Sequence, residues 1–189
     1  PYGFDGWFKL FNPRQLLTLV KLVKLTRGAG KEIEKEKLKE GWNERKAFRY
    51  AEAVTTYLAI ALARLANFNS LVTTWYSGSL LSNKVQSSLS FRGLAMTWNW
   101  CDTNILYEEG NQYSIKGNVN SVIRALNYLV SAVSGNSSRI RVLLDDATVL
   151  SKLRDERFDV IITDPPYRDD IPYTELSDFH YMWLKRALS

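Results

Sequence analysis

The chain has 189 residues, one Cys and one His, with 25 Lys+Arg against 20 Asp+Glu. That length suits one domain, or one domain with an appendage, and 46% hydrophobic residues exclude a disordered tail. The single cysteine, Cys101, excludes an internal disulfide, and without Cys/His companions at ligand spacing it excludes a structural zinc site.

No signal-peptide pattern opens the sequence. Its most apolar stretch, residues 57–66, is about half the roughly 20 residues a membrane span needs and contains Arg64. A soluble, cytoplasmic protein without a membrane partner is therefore expected, in a reducing compartment. The net charge of +5 is uneven: residues 1–30 carry five cations against Asp5 alone, whereas residues 139–189 are net acidic. This asymmetry admits an anionic partner on the N-terminal part, with a phosphate backbone as the candidate.

In chain order, Asn12 and Pro13 predict a helix start, as N-cap and first helical residue. Leu16, Leu17, Val20, Val23 and Leu25 supply its apolar stripe, and Gly28-Ala29-Gly30 is read as its end. Residues 31–49 hold 12 charged residues of 19 and read as a solvated helix face or a mobile connection. Opposite charges lie three apart there, at Glu32/Lys35, Glu34/Lys37 and Glu36/Lys39.

A longer helix is predicted over residues 44–67, with Tyr57, Leu58, Ile60, Ala61, Leu65 and Phe68 as core candidates. Residues 69–117 read as loop-rich with short elements. A third helix follows from Asn118 as N-cap to about Gly135, with Val119, Val122, Ile123, Leu126, Leu129, Val130 and Val133 as its apolar residues. Residues 140–144 and 158–162 are short β-rich runs with a helical turn or two between them, at residues 149–154. Strand, short helix and strand make the βαβ pattern of a parallel sheet. A last helix, over residues 174–188, has Leu176, Phe179, Met182, Trp183 and Leu184 as its predicted buried face.

The residues with chemical content are Asp164-Pro165-Pro166-Tyr167, directly after the second run. In a parallel α/β sheet, ligands gather beyond the carboxyl ends of the strands. The residue types suit methylation of an exocyclic amino group, whose lone pair is delocalised into the base. Two acceptors aimed at its N–H bonds favour the pyramidal nitrogen, and the Asp164 carboxylate and Pro165 carbonyl are the acceptors offered. The prolines fix φ and so preset the carbonyl direction, and Tyr167 offers a ring face to a base turned out of its stack. The bland reading of the same residues is a strand end closed by a rigid turn, with Asp164 capping a local amide.

This tetrapeptide matches the motif of amino-group methyltransferases that use S-adenosylmethionine. The run from Asp159 through Asp170, Tyr173, Glu175-Leu176-Ser177-Asp178-Phe179 and Trp183-Leu184-Lys185-Arg186 resembles the large adenine-specific DNA methylases of the DUF1156-containing group. Three further stretches resemble signatures of that group: Phe11-Asn12-Pro13-Arg14-Gln15-Leu16, Ala63-Arg64-Leu65-Ala66-Asn67-Phe68-Asn69-Ser70, and Arg92-Gly93-Leu94-Ala95-Met96-Thr97-Trp98.

The resemblance implies an α/β fold, a partial Rossmann-like methyltransferase sheet with a large helical N-terminal region. Residues 1–117 would form the helical, loop-rich part that contacts nucleic acid, and residues 118–189 the partial methyltransferase domain. It also implies methyl transfer from S-adenosylmethionine to adenine N6 of DNA, with Asp164, Pro165, Pro166 and Tyr167 catalytic. Cytosine N4 and RNA amino groups are the alternative targets. Asp146, after the first run, takes the role of the acidic residue near the cofactor, against a bland reading as a solvated turn or cap.

Two departures from the pattern stand out. Arg168 follows Tyr167 where a second aromatic is usual, and no glycine-rich cofactor loop is found. An internal piece or split half of a methylase is therefore expected, with the loop on a second polypeptide or missing segment. Little or no activity is expected of these 189 residues alone, and the alternative class is a non-catalytic nucleic-acid-binding module.

Arg14 and Gln15, in the first turn of a basic helix, are candidate contacts to phosphate or base edges. Exposed Trp75 or Trp98 would stack on a base, although most of the six tryptophans read as core. His180, with no partners at ligand or general-base spacing, reads as a packing or hydrogen-bonding residue. Asp169, Asp170, Glu175 and Asp178 read as helix-end chemistry, and no metal is expected.

Overall fold

A computed structural model describes residues 3, 5–78, 84–90, 93–94, 97–109, 111–135, 140–165 and 171–189. After a 3-10 turn (Trp7–Leu10) come α1 (Pro13–Lys39), α2 (Glu44–Asn67), β1 (Thr74–Tyr76), β2 (Lys84–Gln86), α3 (Ile115–Val133), a second 3-10 turn (Ser151–Leu153) and α4 (Tyr173–Leu188). Helix α2 packs against α1, α3 and α4, and α4 also packs against α1.

The start of α1 follows the sequence expectation. Asn12 Oδ1 accepts from the Gln15 amide at 2.8 Å, and Gln15 Oε1 accepts from the Asn12 amide at 3.0 Å. Pro13 follows at the first helical position, so this is a reciprocal capping box.

The expected end at residues 28–30 is corrected. Helix α1 runs on to Lys39 and ends at Gly41, whose φ of 86° is left-handed. There the Gly41 amide donates to Leu38 O and the Trp42 amide to Lys37 O, both at 3.0 Å, which satisfies two of the last carbonyls. Gly30 has a different task. A Cβ built on it would lie 2.5 Å from Thr55 Oγ1 on α2, so its bare backbone permits the close crossing of α1 and α2, whereas Gly28 faces open space.

The buried face of α1 is Gln15, Leu19, Val23 and Thr26; of the predicted stripe, Leu17, Val20 and Leu25 are exposed. Helix α2 buries Ala47, Ala51, Ala59, Ala61, Leu62, Ala63, Leu65 and Ala66, while Tyr57 and Ile60 stay outside. A row of alanines keeps this central helix thin enough for its neighbours to approach. Helix α4 closes the core with Phe179 and Trp183, both fully buried. Their rings meet Phe11 and Trp7 with centroids 5.4 to 6.3 Å apart, two of the three contacts edge-on. Leu10, Leu19, Val23, Leu62, Leu65 and Val72 complete this core.

The predicted partial Rossmann-like sheet is not present. Among the described residues the only ladder is antiparallel β1–β2, with Thr74, Trp75 and Tyr76 opposite Gln86, Val85 and Lys84. Residues 140–144 and 158–162 belong to no strand, and their apolar side chains are exposed, Val142, Leu144 and Ile162 at 90% or more. The physical reason lies in the connection. A parallel crossover is usually a helix that covers the sheet, and the thirteen residues 145–157 that link the runs, long enough in number, form only one 3-10 turn of three residues. With neither a third strand nor a helical cover, two apolar runs do not make a buried sheet.

Helix α3 starts at Ser114, whose hydroxyl accepts from the Gly117 amide at 3.1 Å. The predicted N-cap, Asn118, is instead buried within the helix and donates to Ser114 O and Gln112 O. Beyond Val122 its apolar residues Ile123, Leu129, Val130 and Val133 are exposed.

The two glycines of α1 give opposite expectations in urea unfolding. Gly28→Ala gains about 0.5–1 kcal/mol from helix propensity. Gly30→Ala gains the same propensity but drives a methyl into Thr55, so it should fall below Gly28→Ala by about 1–3 kcal/mol. Equal midpoints for the two variants would remove the close crossing.

Candidate functional site

Asp164 and Pro165 lie at the end of the second exposed run, and both are solvent-exposed. Among the described residues the Asp164 carboxylate accepts no hydrogen bond. Pro166, Tyr167, Arg168, Asp169 and Asp170 lie outside the described residues, as do Arg92, Ala95 and Met96 of the fourth signature.

The acidic pair after the first run builds its own turn. Asp145 accepts from the Lys152 amide at 2.6 Å, from Ser151 Oγ at 2.7 Å and from the Asp146 amide at 2.9 Å. Asp146 Oδ1 accepts from both the amide and the hydroxyl of Thr148, at 2.8 and 2.7 Å. These donors hold both carboxyls below the usual range, the Lys152 amide foremost for Asp145 and the Thr148 hydroxyl for Asp146. Leu150 takes a left-handed φ of 47° inside the turn, with its amide and that of Val149 donating to Asp146 O. A leucine persists in that conformation only when its surroundings over-determine it. The ion pair of Arg141 with Glu156 then joins the start of the first run to the lead-in of the second. Among the described residues, every hydrogen bond of residues 140–165 is internal to that segment.

Arg14 and Gln15 lie elsewhere, beside an open cleft of about 370 Å³ that Thr18, Asn69, Asp102 and Thr103 also line. Arg14 pairs with Asp102, and Gln15 Nε2 reaches the same carboxylate at 3.4 Å. Gln15 is buried and its other amide atom serves the capping box. Asn69, also buried, donates to Leu65 O at 2.9 Å and accepts from the Thr103 hydroxyl. The cleft is thus a satisfied polar seam that holds the loop after residue 97 against the start of α1. Among the described residues no hydrogen bond, ion pair or common cavity joins Arg14 or Gln15 to Asp146 or Asp164. The partners Asn69, Asp102 and Thr103 were not singled out from the sequence, because no spacing rule links positions so far apart.

Trp75 and Trp98 are exposed, as base stacking requires; of the six tryptophans only Trp183 is buried, which corrects the expectation that most are core. Glu175 stands in the first turn of α4, and Asp178 is exposed. Among the described residues no three His, Cys, Asp or Glu side chains group as metal ligands. Among them, too, no helix is long and apolar enough to cross a membrane. Neither Asp146 nor Asp164 lines any of the five described cavities.

Comparison of the chain with protein-family models, with curated proteins and with solved structures finds no match.

His180 packs its ring edge-on to Phe179, with centroids 5.2 Å apart. Burial pushes its pKa below the ordinary value of 6.5, so the fold favours neutral imidazole. The unfolded chain binds that proton more readily. Its contribution is therefore complete above about pH 6.5 and is lost as pH falls through the lowered folded value. Unfolding midpoints measured across that range should fall with acid, and His180→Gln should flatten the decline; an unchanged slope would assign it to other groups.

Proposed function

We propose that this chain belongs to an S-adenosylmethionine-dependent DNA methyltransferase and supplies the residues that hold the adenine amino group. The observation that carries the reading is Asp164-Pro165-Pro166-Tyr167 after an apolar run, with the Asp164 carboxylate exposed and free of hydrogen bonds among the described residues. An ionised carboxylate left in that state is an acceptor available to an incoming N–H. Asp164 and the Pro165 carbonyl accept the two N–H bonds, and the ring of Tyr167 supports the base. S-adenosylmethionine, when bound, supplies an electrophilic methyl group. The chain offers Asp146 toward it, and the rest of that pocket comes from a missing segment or a second polypeptide.

A second reading, a non-catalytic nucleic-acid-binding module, is favoured by one observation: residues 1–30 carry five cations against Asp5 alone. Cytosine N4 and RNA amino groups are alternative targets of the first reading.

The test is incorporation of a labelled methyl group into duplex DNA, followed by digestion to nucleosides. Little or no incorporation at adenine N6 is expected from the chain alone, so the assay is run at high chain concentration over long incubation. In Asp164→Ala incorporation should fall by at least about 100-fold, the scale of losing a preorganised polar contact to the reacting group. Undiminished incorporation in that variant would remove the motif from the chemistry. Because a missing pocket segment alone would silence methyl transfer, the outcome that moves the assignment to the binding module is duplex binding that Asp164→Ala leaves unchanged even when the duplex offers an unpaired adenine.

A further inference from the structure

Because α1 is continuous to Lys39, it brings together cations that a helix ended at residue 28 would separate. Lys21, Lys24, Arg27, Lys31, Lys35 and Lys39 recur every three or four residues, so they share one side of a 27-residue helix. All six are exposed, on the side turned away from Gln15, Leu19, Val23 and Thr26. From Pro13 to Gly30 the helix contains no acidic residue.

Further on, residues 31–40 hold four lysines and four glutamates, and Glu34 lies on the same surface as Lys31, Lys35 and Lys39, so the uncompensated charge of the row is concentrated at Lys21, Lys24 and Arg27. Among the described residues, neither Glu32 and Lys35 nor Glu36 and Lys39 form an ion pair. The pair that does form is Lys37 with Glu40, at 2.8 Å, and it serves the turn. Lys37 also lies 5.4 Å from the centroids of the Trp42 and Tyr50 rings, so it is held away from the row. Arg27 donates to Ser189 Oγ at 2.8 Å, a neutral partner that leaves its charge in place.

We infer that the solvent face of α1 is a track for the phosphate backbone of double-stranded DNA. From Lys21 to Lys39 the row extends about 27 Å at 1.5 Å per residue. A duplex presents one negative charge per roughly 1.7 Å of axis, so a helix laid along it brings its cations within reach of phosphates on both sides of a groove. A lipid surface fits less well. The main apolar face of α1 is already in the core, and the exposed apolar residues on the side of the row, Leu17 and Val20 near one end and Leu38 at the other, are separated by lysines, so no continuous apolar face is left to enter a bilayer. Only the identity of the polymer as DNA rests on the methyltransferase reading above; the row itself rests on the helix.

The test is fluorescence anisotropy of a short labelled duplex of mixed sequence, titrated with the full chain over a series of salt concentrations. One variant combines Lys21→Gln, Lys24→Gln, Lys31→Gln and Lys35→Gln. A control of the same net charge combines Lys84→Gln, Lys116→Gln, Lys152→Gln and Lys185→Gln, and circular dichroism verifies helicity in both. The track variant should bind at least about tenfold more weakly at low salt, with a log–log salt slope shallower by about 3 to 4, while the control stays near the unmutated chain. Equal weakening of both variants would reduce the effect to net charge, and unchanged binding of the track variant would end it. Vesicles rich in phosphatidylserine that displace the duplex would make the face a lipid site instead. Binding is read without methyl transfer, so failure here leaves the Asp164 test untouched, and the reverse also holds.

Discussion

The fold depends on the contact of Phe179 and Trp183 with Phe11 and Trp7. It joins the last helix to the residues just before the first one, across nearly the whole chain, and gives α1 and α2 the third side they need to bury leucine, valine and alanine. A two-helix hairpin with a face of alanines has little apolar area of its own, and aromatic side chains supply the largest areas available to a small core. The polar seam of Arg14, Gln15 and Asp102 lies against the same helix start, so both ends of that packing are fixed at residues 11–15.

What was legible in the sequence was mostly local. Asn12, Pro13 and Gln15 carry a helix start in their own chemistry, and the structure places it there. Gly28 and Gly30 were misread because glycine serves two unlike purposes, ending helices and letting them touch, and only the neighbour at Thr55 distinguishes them. The residue that does end α1, Gly41, sits inside a charged run without an apolar stripe, so no change of apolar period marks it. The apolar face of α1 was ambiguous because leucine and valine occur on most of its circumference; tertiary packing chose Leu19 and Val23 from among them.

The two apolar runs show the same limit from another side. Ile140 to Leu144 and Phe158 to Ile162 have the composition of buried parallel strands, but a strand is completed by its neighbours, and the described residues contain none for them. The Asp164-Pro165-Pro166-Tyr167 pattern is visible in the sequence because its four residues are contiguous, and its role is the one proposed above. The cleft at Arg14 is not visible there, because Asn69 and Asp102 reach it only through the fold.

Helix α4 is held by side chains and not by its place in the chain. Among the described residues, 140–165 contribute no side chain to the core and make hydrogen bonds only among themselves. A protease that cuts within that exposed stretch therefore leaves α4 seated as a bound peptide, with Phe179 and Trp183 as its anchors. Severing the chain costs only the high local concentration that the connection supplies, so α4 added back as a separate peptide competes for the same aromatic socket. Covalent order and structural order are thus separable in this molecule at one known place.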